Sequence, residues 1–325
     1  MTLAMRTEDW LGFLRREYLD GFVGEGGAAT KFCVPLDESS RNVLFEQLRK
    51  EAKGRDYLYA EIDSAETRVD LIDHVFFRVA DQVDFEGLAS SVLKTVCENN
   101  GFEVPAAAAE PFYEAVAVRN RIAPKAALML LREKLTDHVF RRSELAKDFR
   151  VAMLRMCLAR LTGGQDGAVA LRALSDWLTG KNSNVSAVKP YSIFNRINRA
   201  NARHLIESLF QWVRIAGYPG LVVVIDIGRI ALARNPKDDL LFYTTRALLD
   251  AYEVLREFID SMDRLVGSLL VVIPDASFLD EDNAGRGIGR YAALKFRIYD
   301  EVRAKQLVNP MASLVRLSID AENGR

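Results

Sequence analysis

Two apolar patterns alternate along the chain. Runs such as LVVVIDI (221–227) and SLLVVIPDA (268–276) are apolar at nearly every position. They predict strands buried on both faces of a parallel sheet. Other stretches place apolar residues three and four apart, as amphipathic helices do. The pattern predicts a helix over 7–20, a turn at GEGGAAT (24–30), a strand at 31–35 and a helix over 39–53. The run YLYAEID (57–63) reads as a second strand ending on an acid. VDLIDHVFFRVADQ and EGLASSVLKTVCENN read as helices, VPAAAAEP (104–111) as a connector, and 112–176 as helical with a break at GGQDG (163–167). A polar, basic stretch spans 181–203. A helix follows over 198–215, then the strand at 221–227, a long helix over 238–264 and the strand at 268–276. The glycine-rich NAGRGIGRY, a helix through LKFRIYDEVRAK and a last strand at 313–319 complete the series.

Buried strands alternating with helices imply right-handed crossovers and a doubly wound α/β sheet. The expected organisation is an N-terminal helical segment (1–27), the first half of an α/β core (28–85), an all-helical insertion (86–217) and the second half of the core (218–325). No internal repeat is visible.

Composition narrows the function classes. The 325 residues are 49% hydrophobic and 27% charged, enough for a packed core. The net charge of -1 means that any basic patch is local. Cys33, Cys97 and Cys157 are far apart in apolar settings, and His74, His138 and His204 are scattered, so neither a disulfide framework nor a metal site is expected. The N-terminus mixes acids and bases on an amphipathic helix, unlike a signal peptide. No apolar run approaches the roughly 18 residues that span a bilayer. The expectation is a soluble, cytoplasmic protein.

KFCVPLDESSRN (31–42) is strand, loop and helix, the place of a phosphate loop. A phosphate loop needs G-x-x-x-x-G-K-[ST], whose glycines let N–H groups converge on the phosphates and whose lysine neutralises them. On that frame Pro35 and Ser40 take the glycine positions, Arg41 the lysine and Asn42 the hydroxyl residue. Pro35 has no N–H. Asp37 and Glu38 put negative charge where a triphosphate would sit, each costing on the order of several kcal/mol at ~4 Å in an intermediate dielectric. GLVVVID ends on Asp226, where a P-loop enzyme holds magnesium, but Ile227 follows instead of a water-activating acid. The bland alternative is an acid that merely ends a strand. Asp63, after YLYAEI, reads either as a remnant second acid or as a strand-end turn.

Four stretches carry a family resemblance: WLGFLRREYL…GGAATKF, INRANARHLIESLFQWVRIAGYPGLVVVID, DAYEVLREFID, and RGIGRYAALKFRI with the later NP and LVRL. They make the chain resemble the ATP-binding family of BREX (bacteriophage exclusion) and related phage-defence systems, an AAA+-like P-loop ATPase family. The resemblance implies a P-loop NTPase fold with a parallel sheet flanked by helices, and a defence or DNA-maintenance setting. The family's loop after KF is a regular GxxGxGK[ST] and its strand ends in Asp-Glu; this sequence departs at both. It also stops soon after the last strand, where related ATPases continue into a helical lid.

The expectation is therefore a non-catalytic, ATPase-like subunit. It would have no catalytic residue, no metal and no cofactor, and would work with a protein partner such as an active paralogous ATPase or another defence-system subunit. Its degenerate nucleotide-site residues are Lys31, Arg41, Asn42 and Asp226. Two alternatives stay open. One is an ATP- and Mg2+-using enzyme built on Arg41 and Asp226. The other is a DNA-binding accessory module using Lys181, Lys189, Arg196, Arg199 and Arg203, with Tyr191 and Phe194 between them; no acid occurs from Trp177 to Ile206. Arg286 and Arg290 in RGIGRY are either arginines reaching a neighbour's phosphate across an interface or surface residues paired with Asp280, Glu281 or Asp282. No membrane association is expected.

Overall fold

The fold is taken from a computed structural model of the chain, which describes residues 4–104, 111–235, 238–282, 285–299 and 309–319. The sheet has six strands: β1 (Met5–Arg6), β2 (Ala28–Pro35), β3 (Leu58–Asp63), β4 (Leu221–Asp226), β5 (Ser268–Ile273) and β6 (Leu314–Ser318). Every pairing is parallel and the order is β1-β6-β2-β5-β4-β3. The helices are α1 (Thr7–Leu14), α2 (Glu38–Lys53), α3 (Ile72–Ala80), α4 (Phe85–Asn99), α5 (Phe112–Asn120), α6 (Pro124–Phe140), α7 (Lys147–Thr162), α8 (Gly164–Leu178), α9 (Arg199–Ile215), α10 (Thr245–Asp260) and α11 (Ala292–Tyr299).

The uninterrupted apolar runs become the interior strands. All of β5, and β4 up to Ile225, are buried, because parallel strands are covered on both faces. One face packs Trp10, Leu14, Leu44 and Leu48 of α1 and α2 against Cys33, Val222, Val224, Val271 and Leu317 of the strands. Strand order locates the ligand-binding edge. From β2 the chain passes through α2 to β3, beyond β5 and β4, whereas β5 connects to β6 on the other side of β2. Right-handed crossovers in opposite directions lie on opposite faces. The carboxyl ends of β2 and β5 are thus the switch point at which open α/β sheets take ligands.

Several boundaries differ from the sequence expectation. Strand β2 begins at Ala28, inside the predicted turn, because Ala28–Phe32 pair with Ser268–Val272. The first helix continues past Leu14 as a π-helix over Arg15–Phe22, with the non-helical Gly21 near its end. The sequence pattern does not announce β1, which pairs with β6 through two residues only. β5 stops at Ile273 because Pro274 cannot continue the ladder. The predicted helix over 238–264 is reduced to α10. Before it an isolated antiparallel bridge joins Arg234 to Leu241, and Asp239 is left-handed at φ 56°. Thr244 caps α10 by accepting from the Ala247 N–H. The helix through LKFRIYDEVRAK is described as far as Tyr299; its remainder lies outside the described residues, as does most of the connector 104–111.

The chain divides into two compact units, Met1–Val79 with Tyr218–Arg325, and Ala80–Gly217. The second is helical wherever its described residues are regular. Helix α7 is its centre, burying Phe149, Met153, Met156, Cys157 and Leu161 against α4, α5, α6 and α8. Helix α6 contributes Ala127, Leu131, Leu135 and Val139, one buried residue every fourth position. Among the described residues no helix is long and apolar enough to cross a membrane.

Candidate functional site

At the switch point, only Leu36 and Asp37 separate β2 from α2. That length makes a tight turn and leaves no room for a cradle around phosphates. The turn is also closed by its own groups. The Leu36 N–H donates to the Leu317 carbonyl (2.9 Å) and the Arg41 N–H to the Asp37 carbonyl (3.1 Å). Asp37 caps α2, its carboxylate accepting from the Ser40 N–H (2.7 Å) and the Ser40 hydroxyl (2.8 Å). These bonds, the Ser40 N–H foremost, hold the Asp37 carboxyl below its usual range. The Ile319 N–H in turn donates to the Ser40 hydroxyl (3.0 Å), tying the end of β6 onto the helix start. The anion that α2 would offer its dipole to is a side chain of the chain itself.

Arg41 leaves the first turn of α2 and forms an ion pair with Asp226, the last residue of β4. Both side chains are largely enclosed, 13% and 18% exposed. Asp226 also accepts from the Gly228 N–H (2.9 Å). Burial is the dominant influence on Asp226 and raises its carboxyl above the usual range; Arg41 pulls the other way without prevailing. The neighbouring acid Asp63, opposite Asp226 in the β3–β4 register, adds to the rise. Glycine at 228 makes room for this pair, since a side chain there would meet the Arg41 guanidinium. Ile227 is buried, with its N–H on the Ile273 carbonyl (3.0 Å).

The remaining sequence candidates are placed as follows. Lys31 lies mid-strand and is buried, its ammonium donating to the carbonyls of Met311 and Ala312 and lying over the Tyr18 ring. It serves the approach to β6 and does not join Arg41 and Asp226. Asn42 is exposed on α2. Arg286 donates to the Tyr243 carbonyl (2.9 Å), and its own carbonyl accepts from the Tyr252 hydroxyl (2.8 Å). Arg290 donates to the Gly285 carbonyl (3.4 Å). One of their expected acidic partners, Glu281, pairs instead with Lys295 at 3.2 Å. In the helical unit Lys181 pairs with Asp81 (2.6 Å), while Lys189, Arg196 and Arg199 are exposed and Arg203 is half-buried. Phe194 is 65% exposed in the same stretch, and Tyr191 is half-buried.

A nucleotide with its magnesium fits this edge poorly. The turn lacks the converging N–H groups, Asp37 holds the helix start, and the cation nearest the phosphate position is neutralised by the acid that would hold the metal. Among the described residues no group of three or more His, Cys, Asp or Glu is placed to bind a metal. Sequence reasoning missed the Arg41–Asp226 pair. Its members are 185 residues apart, and only the adjacency of the two strand ends to β5 brings them together.

A family model described as BREX system ATP-binding protein BrxC/D matches residues 17–323. No curated protein and no solved structure matches the chain.

Proposed function

The chain belongs to the BREX system ATP-binding protein BrxC/D family, a component of a phage-defence system, and from that premise we propose that it is a non-catalytic member. It keeps the nucleotide-binding fold as a scaffold or regulator for an active ATPase or another subunit of the same system. The observation that carries this reading is the Arg41–Asp226 ion pair over the two-residue turn Leu36–Asp37. Both halves of phosphoryl-transfer chemistry are affected together. The phosphate cradle is replaced by a self-capped helix, and the metal-holding acid is bound to the residue in the lysine position. Ile227 cannot polarise water.

Steady-state hydrolysis by the purified chain with magnesium tests the reading. The expected result is no turnover. Magnesium-dependent turnover that disappears in Asp226→Ala would overturn it and favour an enzyme with an atypical site. The regulatory half is tested separately: adding the chain to an ATPase of the same defence system changes that enzyme's turnover. An unchanged rate, with no complex on size-exclusion chromatography, would contradict it.

A further inference from the structure

The helical unit carries a groove that no part of the nucleotide fold explains. It opens between the C-terminal ends of α4 and α6 and the turn that follows α6, with a volume of about 500 Å³. Lys134, His138, Arg141 and Arg142 line it from one side, and Asn99 and Asn100 from the other. The four basic positions fall at intervals of four, three and one, which places them on one stripe of α6 and its C-terminal turn. The turn is held in shape. Arg150 donates to the carbonyls of Phe140 (3.3 Å) and Arg142 (3.1 Å) and lies over the Phe140 ring.

The groove lining carries three full cations, Lys134, Arg141 and Arg142, against two acids, Asp137 and Glu144. Asp137 is engaged by Arg141 (3.0 Å), and Glu144 lies 3.7 Å from Arg142, a loose pair. Across 134–150 and 196–203, basic residues outnumber acids eight to three. The His138 Nε2 is enclosed and has no hydrogen-bond partner.

The turn that borders the groove is bonded to the segment that leads into α9. His204 lies 3.4 Å from the Glu144 carbonyl, the Ser208 hydroxyl accepts from the Ala146 N–H (2.8 Å), and Asn195 donates to Asp148 (2.8 Å). The groove turn is thereby stitched to the segment bearing Arg196, Arg199 and Arg203. Cations at a helix N-terminus oppose its dipole, at about 0.3–1 kcal/mol each. Asn198 caps α9, and no acid occupies its first turn.

We infer that this groove and the first turns of α9 form one binding track for the phosphate backbone of a nucleic acid. The open shape of the groove suits a polymer better than a compact phosphate ester. Phe194, 65% exposed, stands among the cations as a stacking surface, which favours a single strand. The track widens the basic stretch read from sequence. Its added residues are Lys134, His138, Arg141 and Arg142, while Lys181 is tied to Asp81.

Fluorescence anisotropy of the full chain with labelled single-stranded and duplex oligonucleotides, from about 50 to 200 mM salt, tests this without any nucleotide. The expected result is binding that weakens with salt and is tighter for the single strand. Lys134→Ala/Arg141→Ala/Arg142→Ala weakens it on the order of fivefold at 0.15 M salt for each phosphate left without its cation, and the salt slope falls by about 0.7–0.9 per phosphate. Arg141 is 80% exposed, so Arg141→Glu alone leaves the fold intact and weakens binding in the same direction. Arg141→Lys/Arg142→Lys, which keeps the charge, stays close to wild type. No binding by the full chain at the lowest salt, or Arg141→Glu and the triple variant both binding like wild type, would overturn the inference. Tighter binding of the duplex would overturn the single-strand preference.

Discussion

The sheet edge at β2 and β4 and the groove at α6 are both rich in charge, and they treat it in opposite ways. At the sheet edge the functional-looking charges are engaged inside the chain. Arg41 is paired with Asp226, Asp37 is on the start of α2, and Lys31 is on the carbonyls ahead of β6. At the groove Arg141 and Arg142 stay accessible although each has an acidic neighbour, Asp137 and Glu144, and His138 keeps an unmatched nitrogen. On the reading proposed above, the sheet edge is closed by its own side chains, while the helical unit keeps much of its positive charge at the surface. Family membership indicates where chemistry could sit, and the side-chain pairing is what supports the non-catalytic reading proposed above.

The largest effect that would sharpen this contrast is on nucleic-acid affinity. The groove triple variant should bind on the order of thirtyfold more weakly at 0.15 M salt if two phosphates go without their cations, while Arg41→Ala leaves that affinity unchanged in the same titration. The reverse result would place the functional charge at the sheet edge.

Next in size is the ion pair. Removing one member of an enclosed pair leaves the other uncompensated, so Arg41→Ala should cost about 3 kcal/mol in urea unfolding at pH 7. Arg41→Met/Asp226→Leu should cost much less. Equal losses in both variants would show that the pair itself supplies the stability.

The pH dependence follows from burial of Asp226. Its carboxyl already titrates above the usual range, so the native state takes up its proton more readily than the unfolded chain. The resulting stability is fully present below the unfolded value of about 3.9 and is lost as pH rises through the folded one. Without Arg41 that folded value rises further. The deficit of Arg41→Ala should therefore shrink as pH is lowered from 7 towards 5. A deficit independent of pH would show that it does not come from an ionised Asp226.

The smallest effect is the cap. Asp37→Ala should destabilise by about 1 kcal/mol without creating nucleotide affinity. Because the folded Asp37 value is depressed, its contribution is present above the unfolded pKa and fades as pH falls through the folded one. Gain of ATP binding in Asp37→Ala would mean that the turn is a masked phosphate loop.

Much of the parallel sheet is legible in the sequence, because burial on both faces writes itself into runs like LVVVID and SLLVVI. What escapes is set by distant partners. β1 is two residues held by β6, and a run that short carries no periodicity. The late start of α10 is hidden because LLFYT continues a helical spacing, whereas Asp239 and the buried, multiply bonded Tyr243 break it. The replaced glycines and lysine of the phosphate loop are readable residue by residue. The turn length is nearly so: the expected strand end at Pro35 holds, Pro35 pairing with Leu317, and the helix starts one residue earlier than expected, at Glu38. The groove has a readable signal, Lys134, His138, Arg141 and Arg142 on one helical stripe, overshadowed by the acid-free run downstream.

Calorimetric titration of MgATP into the intact chain tests the central claim most directly. A self-filled sheet edge predicts no heat of binding up to millimolar nucleotide, in the wild type and in Asp226→Ala alike. Micromolar binding that Asp226→Ala abolishes would contradict the account.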